Sequence, residues 1–288
     1  MYEATGGLSQ FTGACRKAVD RMAKVIMIQS RMRTPLKVGM TMLDYVERVI
    51  SSTTMDELWQ MHCDAMASYG FTRLIYGMAS SRVRSSLGAR DDFLILTNIG
   101  AGYMDTFINE GLYQHAPMVR WATENSGACS WGWIAEHAEA LTSKEQEVVA
   151  FNVKHGLTAG YSISFAEVSA RNIAAVGLIP APGVGQDETD AIWEKHGREL
   201  IAMNKVLHLK ILNLPFPLSR KALTKRQREA LEWVGEGKTT QDIGVIMGLT
   251  AATVEKHLRL AREALDVETT AQAVVKASMQ NQIFRIEA

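Results

Sequence analysis

The segment TAATVEKHLRLAREAL, residues 250–265, carries the densest set of groups able to read another molecule. Val254, Leu258, Ala261 and Leu265 are spaced by four, three and four, which predicts one buried helical stripe. Ala252, Thr253, Glu255, Lys256, Arg259 and Arg262 then fall on or near the outer face. Lys and Arg on such a face suit guanine edges or phosphates in a major groove, while Thr and the helix N-terminus suit backbone oxygens. Glu255 fits this less well, since a carboxylate is repelled by phosphate unless it accepts from a cytosine amino group. By spacing alone the alternative is a helical packing module whose charges are merely solvated.

These residues need elements to hold them. Upstream, Thr224 and Gln227 have capping-box spacing and open a helix that buries Ala230, Leu231 and Val234 and ends at Gly235 and Gly237. Thr239 or Thr240 caps the next helix, with Ile243, Ile246 and Met247 on one side. Gly248 makes a tight turn, and Thr250 caps the helix described above. Short helices joined by a glycine turn are the sequence form of helix-turn-helix. The candidate DNA contacts are Thr240, Thr250, Thr253, Glu255, Lys256, Arg259 and Arg262.

The chain has 288 residues, enough for two cores. With 47% hydrophobic and 22% charged residues, and 31 basic against 31 acidic side chains, it has ordinary globular composition. Neutrality overall leaves room for positive charge on one surface. Cys15, Cys63 and Cys129 are odd in number and far apart, which fits free thiols in a reducing compartment, and no apolar run is long enough to span a bilayer. The expectation is a cytoplasmic protein without a membrane partner.

Residues 1–40 carry seven bases against Glu3 and Asp20 and read as a basic extension, flexible or loosely helical. Residues 41–212 read as a sensor-like domain. Two helices lie between Leu43 and Tyr69, then strands at FTRLIYGMA and DFLILTNIG, the second apolar enough to be central. YMDTFINEGLY and PMVRWATEN read as helices, the latter with Pro117 at its first position. Ser143 and Gln146 suggest a capping box for a helix closed at Gly156. Strands GYSISFAE and NIAAVGLIPA follow, then a long helix from Asp187 to Asn213. The fold class is α+β: an N-terminal α/β/α sandwich on an antiparallel sheet, of PAS or GAF-like type, and a C-terminal all-α helix-turn-helix domain over 222–288. NLPFPLSRK marks a linker at 213–221.

The stretch LTKRQREALEWVGEGKTTQDIGVIMGLTAATVEKHL, with the later ALDVETTAQAVVKA, resembles the DNA-binding domain of the LuxR family of bacterial transcription regulators. The match covers about 65 residues and is highly specific, with Asp242 where the family has Glu and Gly244 where it has Ala. The resemblance implies a four-helix domain whose last helix, about Thr270 to Gln282, dimerises. Residues 43–213 resemble the autoinducer-binding domain of the same family. Trp131 matches a pocket tryptophan, Pro117 a family proline, and Gly156 and Gly160 family glycines. Tyr103 stands where most members carry a tryptophan that binds the lactone carbonyl, and Phe107 where they carry a tyrosine that reaches the amide carbonyl. Ala116 replaces an aspartate that accepts the ligand's amide N–H. Ser162 completes the ligand-binding candidates.

An unpaired buried amide donor costs about 1–3 kcal/mol, so these exchanges weaken an acyl-homoserine lactone by roughly 10² or more unless another group substitutes. Three readings stay open at this stage: a lactone bound in altered fashion, a different and more apolar small molecule, or a site closed by its own side chains. No metal-ligand spacing, nucleophile elbow or complete nucleotide-binding glycine loop occurs, so neither an enzyme nor a cofactor is expected. The expected function is a homodimeric, ligand-controlled regulator of quorum-sensing type on double-stranded promoter DNA, with RNA polymerase a further partner. The alternatives are a ligand-independent orphan regulator, or an anti-activator that acts by heterodimerisation.

Overall fold

The computed structural model describes residues 25–29, 40–80, 93–165, 172–214 and 223–284. The proposed linker after Leu214, and all of the basic extension but 25–29 and Met40, lie outside these residues. Six strands form one sheet: β1 (Val25–Gln29), β2 (Phe71–Ser80), β3 (Phe93–Thr97), β4 (Gly127–Ser130), β5 (Tyr161–Ser164) and β6 (Asn172–Pro180), in the order β1-β3-β2-β6-β5-β4. All neighbours are antiparallel except β1 and β3, which run parallel with Val25 opposite Phe93. The extension, read from the sequence as flexible or loosely helical, contributes an edge strand, its VIMI run supplying the residues that favour one. β3 is an interior strand as its apolar run predicted, flanked by β1 and β2, and the middle of the sheet is the long β2–β6 pair.

The sheet strands are apolar on both faces because both are covered. Leu74, Tyr76, Leu94, Leu96, Val176 and Leu178 point to one side, where α1 (Met42–Ser51), α2 (Met55–Ser68) and the long α7 (Gln186–Asn213) bury Tyr45, Leu58, Trp59, Leu200 and Leu207 against them. Their alternate neighbours Ala79, Phe93, Ile95 and Ile179 point to the other side. There they meet α3 (Ala101–Asn109), α4 (Pro117–Glu124), the short α5 (Gly132–Glu136) and α6 (Ser143–Lys154). This is the expected α/β/α sandwich. The cap of α6 sits one residue earlier than the spacing suggested: the Thr142 hydroxyl accepts from Glu145 N, and the Glu145 carboxylate accepts from Thr142 N at 2.8 Å. The reason is a second charge. Arg120 donates to Glu145 at 2.6 Å, which rewards a carboxylate at that position.

The C-terminal unit has its own core, in which Leu231, Ile243, Val254, Leu258, Ala261, Leu265 and Ala273 are buried. It comprises α8 (Lys225–Gly235), α9 (Thr240–Met247), α10 (Ala251–Leu265) and α11 (Thr270–Met279). Capping settles each start. Thr224 boxes with Gln227, Thr239 with Asp242, and Thr269 with Gln272. Gly248 ends α9 in the left-handed region at φ 65°, a conformation that costs glycine little.

Two buried histidines tie α7 to the sandwich. His62 Nε2 lies 3.1 Å from Asn204 Oδ1, and because Asn204 Nδ2 donates to Leu200 O, that oxygen requires a donor from the ring. Nδ1 is then the bare nitrogen, 2.9 Å from the Tyr45 hydroxyl. His208 Nδ1 meets the Tyr76 hydroxyl at 2.8 Å while its ring stacks on Phe165. Burial pushes His62 down to about 3 and His208 to about 4. Unfolded, both titrate near pH 6.5. Their folded values are depressed, so the stability of the neutral rings is complete above about pH 6.5 and is lost as pH falls from there toward the folded values. A lower urea midpoint near pH 5 than near pH 7.5 is therefore expected for the whole chain, with the difference reduced in His62→Gln. A midpoint unchanged over that interval would contradict the buried neutral assignment.

Candidate functional site

Small residues in the two middle strands create a cavity on the α3–α6 side of the sheet. Gly77 pairs with Ala175, Gly177 with Ile75, and Ala79 with Ile173 across the β2–β6 ladder, and all six line the space. Its chain neighbours aside, no atom of the described residues lies within 4 Å of where a Gly77 Cβ would sit. The cavity measures about 160 Å³. Its opposite wall is aromatic and aliphatic: Tyr103, Phe107 and Ile108 from α3, then Tyr113, Met118, Val119 and Ala122. Apolar cavities of about 150 Å³ stay dry and accept a benzene-sized solute, which sets the scale.

All five ligand-binding candidates line this one space: Tyr103, Phe107, Ala116, Trp131 and Ser162. Tyr103 lies between Phe107 and Phe151, each ring centroid 5.1 Å away, and donates its hydroxyl to Asn152 Oδ1 at 2.9 Å. Burial raises its pKa well above the usual phenol range, so it stays protonated. Trp131 donates Nε1 to Ser162 Oγ at 3.0 Å and its backbone N–H to Gly160 O at 2.9 Å. Gly160 has to be glycine, because a Cβ there would stand 2.7 Å from Leu178 O and 3.1 Å from the Trp131 ring. Ala116 is the N-cap residue of α4. Its methyl offers no cap, and its carbonyl accepts from Val119 N at 3.0 Å and Arg120 N at 3.1 Å.

Sequence reasoning missed Asn152, Tyr113 and the small-residue floor. The floor has a legible signal: glycine and alanine recur at alternate positions in IYGMA, as Gly77 and Ala79, and in IAAVG, as Ala175 and Gly177. Asn152 has none, since an asparagine late in a helix is ordinary.

At the second site the DNA-contact candidates gather at two helix starts and along one face. Thr240 opens α9. Thr250 caps α10, accepting from Thr253 N at 3.2 Å, with the two hydroxyl oxygens 2.9 Å apart. Glu255, Lys256 and Arg259 are exposed on α10, and Arg259 pairs with Glu263 one turn on. Arg262 differs from them. It donates to Thr270 Oγ1 at 2.8 Å and is only 22% exposed, which makes it a strut between α10 and α11.

Comparison with known proteins gives two family matches: the autoinducer binding domain over residues 54–211, and the bacterial regulatory proteins of the luxR family over 221–277. The transcriptional activator AnoR of Acinetobacter nosocomialis is 26% identical over 232 residues, 78% of this chain and 91% of that protein. The quorum sensing-dependent transcriptional regulator RpaR of Rhodopseudomonas palustris is 25% identical over 240 residues, 82% and 90% of the two chains. Among solved structures, SdiA in complex with octanoyl-rac-glycerol aligns with 85% of this chain and 96% of its own, at 14% identity and a TM-score of 0.49.

Gly77 and Gly160 call for opposite outcomes. Gly160→Ala should destabilise the chain by about 1–3 kcal/mol through forced repacking. Gly77→Ala, pointing into open space, should be neutral or add up to about 1 kcal/mol by restricting the unfolded chain. Urea unfolding of both variants checks this, and equal losses would contradict the cavity's placement.

Proposed function

The chain belongs to the LuxR family of bacterial regulatory proteins, transcription regulators rather than enzymes, and from that premise we propose that it binds promoter DNA as a homodimer under the control of a small molecule held in the cavity. The observation that carries this reading is the largely apolar, partly open cavity in the autoinducer binding domain of a chain that also carries the helix-turn-helix. A core with an unfilled gap forfeits dispersion contacts that a filled one makes. A ligand that enters it restores part of that and favours whichever arrangement of two recognition helices matches half-sites about one helical turn apart.

On α10, Lys256 is assigned to phosphate and Arg259 to a base edge, with Thr250 and Thr253 at the helix start near backbone oxygens. Arg262 keeps a supporting role through Thr270. Arg259 must release Glu263 to reach DNA, an exchange between two exposed partners whose mutual attraction is small. The cavity favours this reading over a ligand-independent orphan. The exposed bases of α10 favour it over an anti-activator that never engages DNA.

Full-length protein should enrich a subset of sequences from a randomised duplex pool. Lys256→Ala should then weaken every sequence alike and lower the slope of log affinity against log salt by about one, while Arg259→Ala should lose discrimination at one or two base pairs. Failure to enrich any sequence, with or without added acyl compounds, would overturn the proposal.

A further inference from the structure

The polar inventory of the cavity is lopsided. Donor hydrogens stand ready at three places. Ser162 Oγ accepts from Trp131, Tyr113 Oη accepts from Gln114 at 3.2 Å, and Asn152 Oδ1 accepts from Tyr103. That leaves the Ser162 and Tyr113 hydroxyl hydrogens and the Asn152 amide hydrogens without an acceptor among the described residues. The acceptors are weaker by comparison: lone pairs on neutral oxygens, those of Tyr103, Thr123 and Asn152 among them. No carboxylate lines the space among the described residues, and the hydroxyl oxygens present belong to neutral groups already in one hydrogen bond each. At Ala116 the side chain is a methyl group, and its carbonyl is taken up by the first turn of α4.

A ligand N–H placed against this wall loses its water and finds no strong acceptor, whereas a carbonyl or ester oxygen meets donors that lack partners. We infer that the cavity takes a small acyl compound whose linkage presents oxygen acceptors and no N–H: an ester or ketone in place of an amide. This rests on the ligand-controlled reading above and narrows it to one chemical class.

The test is a matched pair that differs in one atom. N-hexanoyl-homoserine lactone carries the amide, and 2-hexanoyloxy-γ-butyrolactone has oxygen in place of the N–H with the chain and ring unchanged. Isothermal titration calorimetry on the full-length protein should find the ester tighter by on the order of tenfold or more, the size expected for one unsatisfied buried donor. In Ala116→Asp the preference should reverse, since a carboxylate accepts from the amide and repels the ester oxygen. Because only the ratio of two ligands is read, any change in helix capping caused by the variant cancels. If Ala116→Asp does not fold, Ala116→Ser should narrow the ratio. An amide that binds the wild-type chain as tightly as the ester, or more tightly, overturns the inference and leaves the ligand-controlled reading intact. Binding of neither, by protein that unfolds cooperatively, overturns both.

Discussion

One face of the central strand pair is thinned to glycine and alanine, and the autoinducer binding domain depends on that. Side chains alternate across a strand, so Tyr76, Met78, Val176 and Leu178 pack on the α7 side while Gly77, Ala79, Ala175 and Gly177 leave the other side short of atoms. The neighbouring helices do not collapse into the space, because their own packing holds them off. Tyr103 is fixed in an aromatic stack and α6 by the Glu145–Arg120 pair; Trp131 is pinned between Gly160 and Ser162. A gap that the fold maintains at a cost in dispersion energy is a place where a solute gains what the protein lacks.

The opposite face provides the rigidity. Trp59 and Leu58 are buried there with Tyr45, and the hydrogen bonds from Tyr45 through His62 to Asn204 fix the position of α7 along the sheet. Neutral imidazoles suit this role at neutral pH, being one donor and one acceptor that need no countercharge. Across the sheet, Gln186 and Asp190 at the start of the same helix bind Ser130 and Gly160, and Tyr161 donates to Asp190 at 2.7 Å. Gly160 also holds the Trp131 backbone. The helix that closes one face therefore shares anchoring residues with the rim of the cavity on the other.

Much of this was legible before any coordinates. Helical periodicity located α1, α2, α7 and α8 to α10, the resemblance supplied α11, and the stripe from Val254 to Leu265 is buried as its spacing required. Local rules failed where a distant partner decided the matter. Glu145 displaced the cap of α6 because Arg120 approaches it from another helix, and GACS forms β4 because Tyr161 to Ser164 lie alongside. Arg262 looked like its neighbours on the outer face until Thr270 captured it. The ligand candidates came from resemblance rather than from periodicity, and the structure brings all five to one cavity. The alternating small residues that create the space were in plain view but read as ordinary strand composition.

The central claim is that a small acyl molecule enters the space above Gly77 and completes the core. Amide hydrogen exchange of the full-length chain, with and without a saturating acyl ester, tests it most directly. The account predicts slower exchange in β2, β5 and β6 and between Ala101 and Glu124, the segments whose side chains form the cavity. Binding that leaves those segments unchanged while slowing exchange elsewhere would contradict it.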